Sequence, residues 1–344
     1  MKKDATKGKL CKQPKAVTRK FKTGISQLRR NFILASDKKW VNGTEIKYLF
    51  LKGPAKQKKV VRQAFSHWKS LGIGISFKEV SLKADSMVRI GFDQSDGSWS
   101  YVGREVLTIA KTKTTMNFGW DLTTAYGMTT ALHEIGHTIG FQHEHQSPIS
   151  GITWNTKAVY TEFSGSPNFW SKAAINSNIL NKLPANQVQG SAWDPKSIME
   201  YEFGAGLVIA PTKYKAGIFP PGILSANDIT GVKAFYPSEK TNAIKKIQPN
   251  ISNAIKANSG EQNDFLFTAS ATQKYTFQTK GELDTVMVIF EKGIKENHYL
   301  SGDDDSGLEK NAKITLPLVK GRTYLINIRV MYAQKKKSGA LIVR

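Results

Sequence analysis

The chain has a single cysteine, Cys11, so no internal disulfide framework can hold its fold together. It also has no run of roughly 20 apolar residues, the length a membrane-spanning helix needs. Its hydrophobic runs, such as Phe32–Ala35 and Tyr48–Leu51, are short and read as buried strands or anchors. The start, MKKDATKGKL, has the positive opening of a secretory signal but not the apolar core of about 7–15 residues that should follow, so no signal peptide is visible. Acidic residues are few, with 27 Asp and Glu against 50 Lys and Arg and a net charge of +23. Histidine is scarcer still, at six in 344 residues. Four of those six stand between His133 and His145.

The positive charge is uneven. Residues 1–40 hold 13 Lys and Arg against Asp4 and Asp37, a net of +11. A basic arm of this kind reads as a solvated leader, with attraction to anionic surfaces as a second use. No aromatic–basic interleaving or base-reading motif accompanies the lysines, so specific nucleic-acid binding is not expected.

Residues 1–37 are Lys-rich and poorly periodic. Order is expected from about Trp40, where VNGTEIKYLFL reads as a turn and a strand. Ala55–Leu71 carries Val60, Val61, Ala64, Phe65 and Trp68 at spacings of three and four, which predicts an amphipathic helix. Gly72–Val80 and Ser86–Asp93 alternate like strands, a Gly/Ser/aromatic loop DGSWSYVG follows, and Thr114–Gly119 (TTMNFG) reads as another strand. A helix is expected over Thr123–Ile139 and one or two more between Gly151 and Asp194. In Leu224–Pro237, a Ser225 cap, Asp228 three residues on and a terminal Pro mark the helix that closes the domain. Mixed sheet early and helices later is an α+β order. A polar linker over 239–251 then leads to short alternating segments (DFLFTA, KYTFQT, TVMVIFEKG, AKITLPL, TYLINIRV) separated by Gly, Asp and Asn turns, which predict a small all-β sandwich over 252–344.

The chemistry concentrates in HEIGHTIGFQHEHQSP, residues 133–148. On a helix, His133 and His137 share one face and can reach one ion. Glu134 is turned about 100° away; it cannot join them as an equal ligand but can reach a water bound to that ion. Gly140 can end the helix in the left-handed conformation and aim His143 back at the same point. Three neutral imidazoles leave a position open for water, whose pKa zinc lowers from about 15.7 to about 7. Glu134 is then placed to take its proton. His145 is left over and reads as structural, and His67 and His298 lie far off in sequence.

HEIGHTIGFQHE resembles the long zinc-binding signature of the metzincin metalloproteases, and Glu144 after the third histidine resembles the astacin branch. SIMEY (Ser197–Tyr201), whose Met199 lies 56 positions beyond His143, is similar to that group's methionine turn. The resemblance extends over about 200 residues, from Lys38 to Ser238, through WVNGTEIKYLFL, GSWSYVG with TMNFG, and LSANDITGVKAFYP. It implies a metzincin-type zincin catalytic domain over 38–238, with a twisted mixed sheet and an active-site helix. It further implies a zinc endopeptidase acting on protein substrates bound in extended form against an edge strand, a place that TTMNFG fits. Met199 would be the hydrophobic floor under the histidines, and Tyr201 a fifth, switchable metal ligand that stabilises the oxyanion. Secretion is expected by the same resemblance. HEHQSP departs from the astacin run after the third histidine, which puts the buried N-terminal anchoring of Glu144 in doubt.

KLCKQP (Lys9–Pro14) faintly resembles the cysteine switch of matrix metalloproteases. By that resemblance Cys11 occupies the open zinc position in a latent form, with residues 1–37 an inhibitory leader; the flanking lysines are expected to lower its thiol pKa. The 252–344 module resembles the pre-peptidase C-terminal domain of secreted bacterial proteases, and Asp303, Asp304 and Asp305 in its Gly-flanked turn are candidates for Ca2+. A competing reading is a non-catalytic cationic surface-binding or toxin protein with a vestigial zinc site. The intact Glu134 argues against it, since a purely structural site needs no base.

Overall fold

The computed structural model describes residues 9–14, 38–40, 44–183, 192–236, 238, 244–256, 262–293, 297–303, 306–308, 311–332 and 338–344. The chain divides into two compact units, one containing Thr44–Ser238 and the other Glu239–Arg344. Among the described residues no helix is long and apolar enough to cross a membrane.

In the first unit, strands β1 (Glu45–Phe50), β2 (Ser76–Glu79), β3 (Val88–Gly91), β4 (Trp99–Ser100) and β5 (Met116–Asn117) form one sheet in the order β2-β1-β3-β5-β4. All neighbours are parallel except β4, which runs antiparallel to β5. This is the expected mixed sheet, with one correction. TTMNFG is not the edge: Tyr101 N donates to Thr115 O and the Trp99–Ser100 strand folds back over β5, so β4 is the edge strand. A two-residue strand inside a Gly/Ser loop has no period to betray it.

Helix α1 (Ala55–Ser70) buries Val61, Ala64, Phe65 and Trp68, the face its spacing marks. It packs on α2 (Gly127–Thr138), and Trp68 Nε1 donates to Leu132 O of α2 at 3.1 Å. The core between sheet and helices includes Ile46, Val88, Ile90, Met116, Ile135 and Ile139. Helix α2 starts four residues later than expected. Asp121 Oδ1 takes Thr123 N and Oγ1 in a local turn, and a Cβ at Gly127 would lie 1.8 Å from Leu122 O. Side-chain bonding to nearby backbone delays helix formation there.

The lower half of the unit holds β6 (Thr153–Trp154) paired with β7 (Val208–Ala210), α3 (Thr156–Ser164), α4 (Lys172–Ile175) and a π-turn at Asn176–Leu180. Its aromatic core of Trp154, Phe163, Trp170 and Phe203 also buries Leu10 and Cys11 of the leader. Helix α5 (Ala226–Phe235) begins at the Ser225–Asp228 capping box and ends against Tyr236, whose hydroxyl donates to Ile139 O at 2.7 Å.

The second unit is a sandwich of two sheets, with β8 (Lys245–Ile247), β10 (Gln262–Thr268), β12 (Asp284–Glu291), β13 (His298–Asp303) and β15 (Thr323–Tyr332) on one side. On the other lie β9 (Asn253–Ile255), β11 (Gln273–Gly281), β14 (Lys313–Leu318) and β16 (Gly339–Val343). Phe265, Phe267, Phe277, Tyr275, Ile326 and Ile328 fill its core. The stretch read as linker contributes β8: Ile247 is buried and pairs with Phe267, but three residues, KKI, are too few to show alternation.

Candidate metal centre and peptide cleft

Helix α2 ends as its sequence requires. Gly140 has φ of +101°, its N–H bonds to His137 O at 2.8 Å, and Phe141 N–H bonds to Gly136 O at 3.0 Å. This is a Schellman cap, open to Gly because an L side chain is strained at that φ. The turn delivers Phe141 O to His137 Nδ1 at 2.8 Å. Ile198 O, from the methionine turn, meets His133 Nδ1 at 2.7 Å. Carbonyls accept only, so both rings carry their proton on Nδ1 and turn a bare Nε2 inward.

There the third ring arrives. His143 Nε2 lies 3.0 Å from His137 Nε2 and 3.4 Å from His133 Nε2. Burial holds His133 down at about 4, and burial with neighbouring imidazoles holds His137 and His143 well below the usual histidine range. The rings are therefore neutral. Inward lone pairs at such separations repel unless a cation lies among them, so this donor set fits a metal ion. Cys11 Sγ completes the group: one ligand atom from each of Cys11, His133, His137 and His143 lies within 4.8 Å of the others.

Glu134, one position on from His133, is buried beside them and accepts a hydrogen bond from the Cys11 thiol at 3.5 Å. Burial pushes its carboxyl up to about 8. Burial and the Glu134 carboxylate together push the Cys11 thiol well above its ordinary value. This corrects the expectation that flanking lysines lower it: burial and Glu134 outweigh them.

The floor is Met199. It is 2 % exposed and lies so close to α2 that a Cβ at Gly136 would sit 2.3 Å from Met199 Sδ. The turn that carries it is bound from two sides. Ser197 Oγ and Ile198 N both donate to Asp228, so the residue that caps α5 also fixes the methionine turn, and Met199 N donates to Ser197 Oγ. Tyr201 packs against His143 with ring centroids 4.3 Å apart and planes tilted by 55°, and its hydroxyl donates to the backbone carbonyl of Cys11. Glu144 accepts from Asp194 N at 3.1 Å, and burial raises its carboxyl to about 7.

The leader fragment lies along the cleft as a peptide. Lys12 N donates to Ser98 O beside the edge strand, Leu10 N to Asn168 Oδ1 and Gln13 N to Asn178 Oδ1. Asn178 is 3 % exposed; its amide nitrogen donates to Ala174 O, and its own carbonyl accepts from His145 Nε2 at 2.8 Å. His145 Nδ1 lies 3.2 Å from Glu200 Oε1. This histidine braces the π-turn that holds Asn178, and it is not in the metal-competent group. Asn168 and Asn178 were not legible in the sequence: they stand in a polar stretch with no spacing signal. His67 and His298 are exposed, and neither belongs to the metal-competent group.

In the sandwich, Asp303 accepts from Ser306 N, Ser306 Oγ and Lys313 N, which engages both of its carboxylate oxygens. Asp304 and Asp305 lie outside the described residues. Among the described residues the metal-competent group is the Cys11–histidine cluster, and calcium gains no support.

The family Astacin, a peptidase family, matches residues 32–207. Among solved structures, myroilysin is 32% identical over 60% of this chain and 98% of that chain, with a TM-score of 0.55. A second similarity is to high choriolytic enzyme 1, a hatching enzyme zinc-protease from the medaka fish Oryzias latipes, at 19% identity over 57% of this chain and 90% of that one, with a TM-score of 0.38. A third is to the pre-peptidase C-terminal domain of a collagenase from Bacillus anthracis, at 12% identity over 31% of this chain and 99% of that one, with a TM-score of 0.25. No curated protein matches the chain.

Proposed function

The chain belongs to the astacin family of peptidases, and from that membership we propose that it is a zinc-dependent endopeptidase made as a latent precursor. The observation that carries this reading is the convergence of three neutral imidazoles, His133, His137 and His143, whose carbonyl-fixed tautomers aim their lone pairs at one point beside Glu134.

A zinc ion held by these three rings would acidify a water and polarise the carbonyl to be attacked. Glu134 takes the proton of that water and returns it to the departing amine. Its carboxyl is buried beside the three imidazoles, where it can serve as base and then as acid. Tyr201 donates its hydroxyl to the developing oxyanion; in the leader-bound state that same hydroxyl is spent on the Cys11 carbonyl. An extended substrate is gripped through its main chain at Ser98 O, Asn168 Oδ1 and Asn178 Oδ1, the acceptors that the leader now uses.

Cys11 is the latent-form ligand. Its sulfur lies with the three imidazoles and within hydrogen-bonding distance of Glu134, so the leader blocks both the metal position and the base. The protein acts outside the cell on this reading, with the sandwich unit and the basic arm serving attachment to anionic surfaces.

Metal analysis and casein cleavage on the unlatched Cys11→Ala chain, with and without Glu134→Gln, test the assignment. One zinc per chain is expected in both, with cleavage in the variant down by about 10²–10⁴. A Cys11→Ala chain that binds no zinc, or one in which Glu134→Gln leaves cleavage undiminished, refutes it.

A further inference from the structure

Helix α2 ends inside the unit, and its last carbonyls all need donors. Phe141 N–H bonds to Gly136 O and Gly140 N–H to His137 O, and the amides of the cap go no further. Thr138 and Ile139 are fully buried, so their carbonyls are shielded from bulk water. Their donors come from two places far apart in the chain. Trp40 Nε1 donates to Thr138 O at 2.7 Å, and the Tyr236 hydroxyl donates to Ile139 O at 2.7 Å. That same hydroxyl accepts Trp40 N at 3.1 Å. Trp40 therefore holds one carbonyl directly and orients the donor of the next.

The backbone before Trp40 is wedged into the same place. An added Cβ at Gly140 would sit 3.2 Å from Lys38 O, and one at Gly103, whose φ is +52°, would run into that oxygen. Lys38 Nζ pairs with Glu105 Oε1 at 3.4 Å, and Lys39 Nζ lies 3.6 Å from the centre of the Phe235 ring. Lys39 and Trp40 are both buried. The segment is thus fixed at a carbonyl, at two ammonium groups and at an indole.

What it holds is the turn that builds the metal site. This turn carries Phe141 O to His137 Nδ1, and His143 follows three residues after Gly140. The course of the chain through it sets where the third ring arrives.

Resting on the zinc endopeptidase reading, we propose that Trp40 is a positioning residue of the metal centre. Through Thr138 O and Tyr236 it fixes the Gly140 turn, and so the angle at which His137 and His143 present Nε2 to the ion. The N-terminal part of the chain then acts on one site in two opposite ways: Cys11 closes it and Trp40 keeps it in shape.

The test compares Trp40→Phe and Tyr236→Phe, each in the full-length Cys11→Ala chain. Both changes keep an aromatic ring and remove a hydrogen-bonding group. Chelator competition reads zinc affinity, the visible spectrum of the cobalt(II)-loaded chain reads coordination geometry, and a fluorogenic peptide reads turnover. Each variant is expected to bind zinc at least about tenfold more weakly, the cost of losing an outer hydrogen bond behind a metal ligand. Its cobalt bands should shift, and kcat should fall at nearly constant KM. A merely structural Trp40 would lower the urea midpoint and leave zinc affinity, cobalt spectrum and kcat of the folded chain unchanged, which overturns the proposal. A loss confined to KM overturns it too. Should one substitution prevent folding, the other carries the same comparison. If the Cys11→Ala parent binds zinc yet cuts no peptide, the endopeptidase reading fails, while zinc affinity and the cobalt spectrum still decide the role of Trp40. A parent that binds neither metal refutes both.

Discussion

Replacing Gly136 by Ala probes the floor of the metal site with one methyl group. At an exposed helix position this change stabilises by about 1 kcal/mol, because Gly costs that much relative to Ala in a helix interior. Here the new Cβ would lie 2.3 Å from Met199 Sδ and 3.6 Å from the Trp68 ring. A carbon–sulfur contact wants roughly 3.5–4.0 Å, so the sulfur must retreat by more than an ångström. Met199 is 2 % exposed and Trp68 fully buried, which leaves the thioether little room to turn. Overpacking of this kind costs about 1–3 kcal/mol. We take the upper half of that range and expect a net loss of about 1–2 kcal/mol.

The same change should reverse sign once the methionine is gone. Met199→Ala alone should cost about 2–5 kcal/mol through the cavity it leaves, and Gly136→Ala added to it should recover about 1 kcal/mol. The coupling between the two sites is therefore about 2–3 kcal/mol, well above the error of a double-mutant cycle. Urea unfolding followed by tryptophan fluorescence reads this cleanly, because all seven tryptophans lie between Trp40 and Trp193 and report on the catalytic unit alone. If Gly136→Ala stabilises the wild-type chain, or has the same sign in both backgrounds, Met199 does not support the helix as described.

Cys11→Ala should release full-length, zinc-loaded chain from latency, so that casein cleavage starts without a lag; activity equal to that of the intact precursor would show that the thiol does not hold the latent state. Tyr201→Phe should lower kcat by about 10²–10³ with KM little changed, the cost of one oxyanion donor; a loss confined to KM would argue for a binding role instead. Glu144 sits at about 7 in the fold against an ordinary 4.5. Its raised pKa favours folding below pH 4.5, and that advantage is lost as pH rises through 7. Glu144→Gln should therefore match wild type near pH 4 and be the more stable by up to about 3 kcal/mol at pH 8, measured by urea midpoints; a pH-independent difference would refute the burial argument.

The sequence yielded what depends on short, strict spacing. The i, i+4 histidines, the glycine that turns the chain and the Ser225–Asp228 cap are local rules, and each occurs where expected. Of the two residues named through family resemblance, Tyr201 comes to His143 and Met199 packs against the histidine-bearing helix at Gly136. What failed to show depends on contacts across the fold. The true edge strand is two residues long, and Lys245–Ile247 is three, too short for period two to register. Asn168 and Asn178 act through side-chain carbonyls that only the folded lower half points into the cleft. Burial and Glu134, not neighbours in sequence, decide the Cys11 thiol.

The main-chain bonds that seat the leader have a consequence for how it can be dislodged. Its amides are received by oxygens indifferent to which polypeptide supplies the N–H, so an incoming substrate would replace those bonds almost one for one. Such an exchange is nearly neutral in hydrogen bonding, and what biases it is the Cys11 sulfur at the metal position, reinforced by covalent attachment: a tethered strand competes at an effective concentration of millimolar order. On the proposed latent-precursor reading, severing the backbone anywhere between Pro14 and Lys38 would turn a resident ligand into a diffusible one, and dilution would then favour its departure.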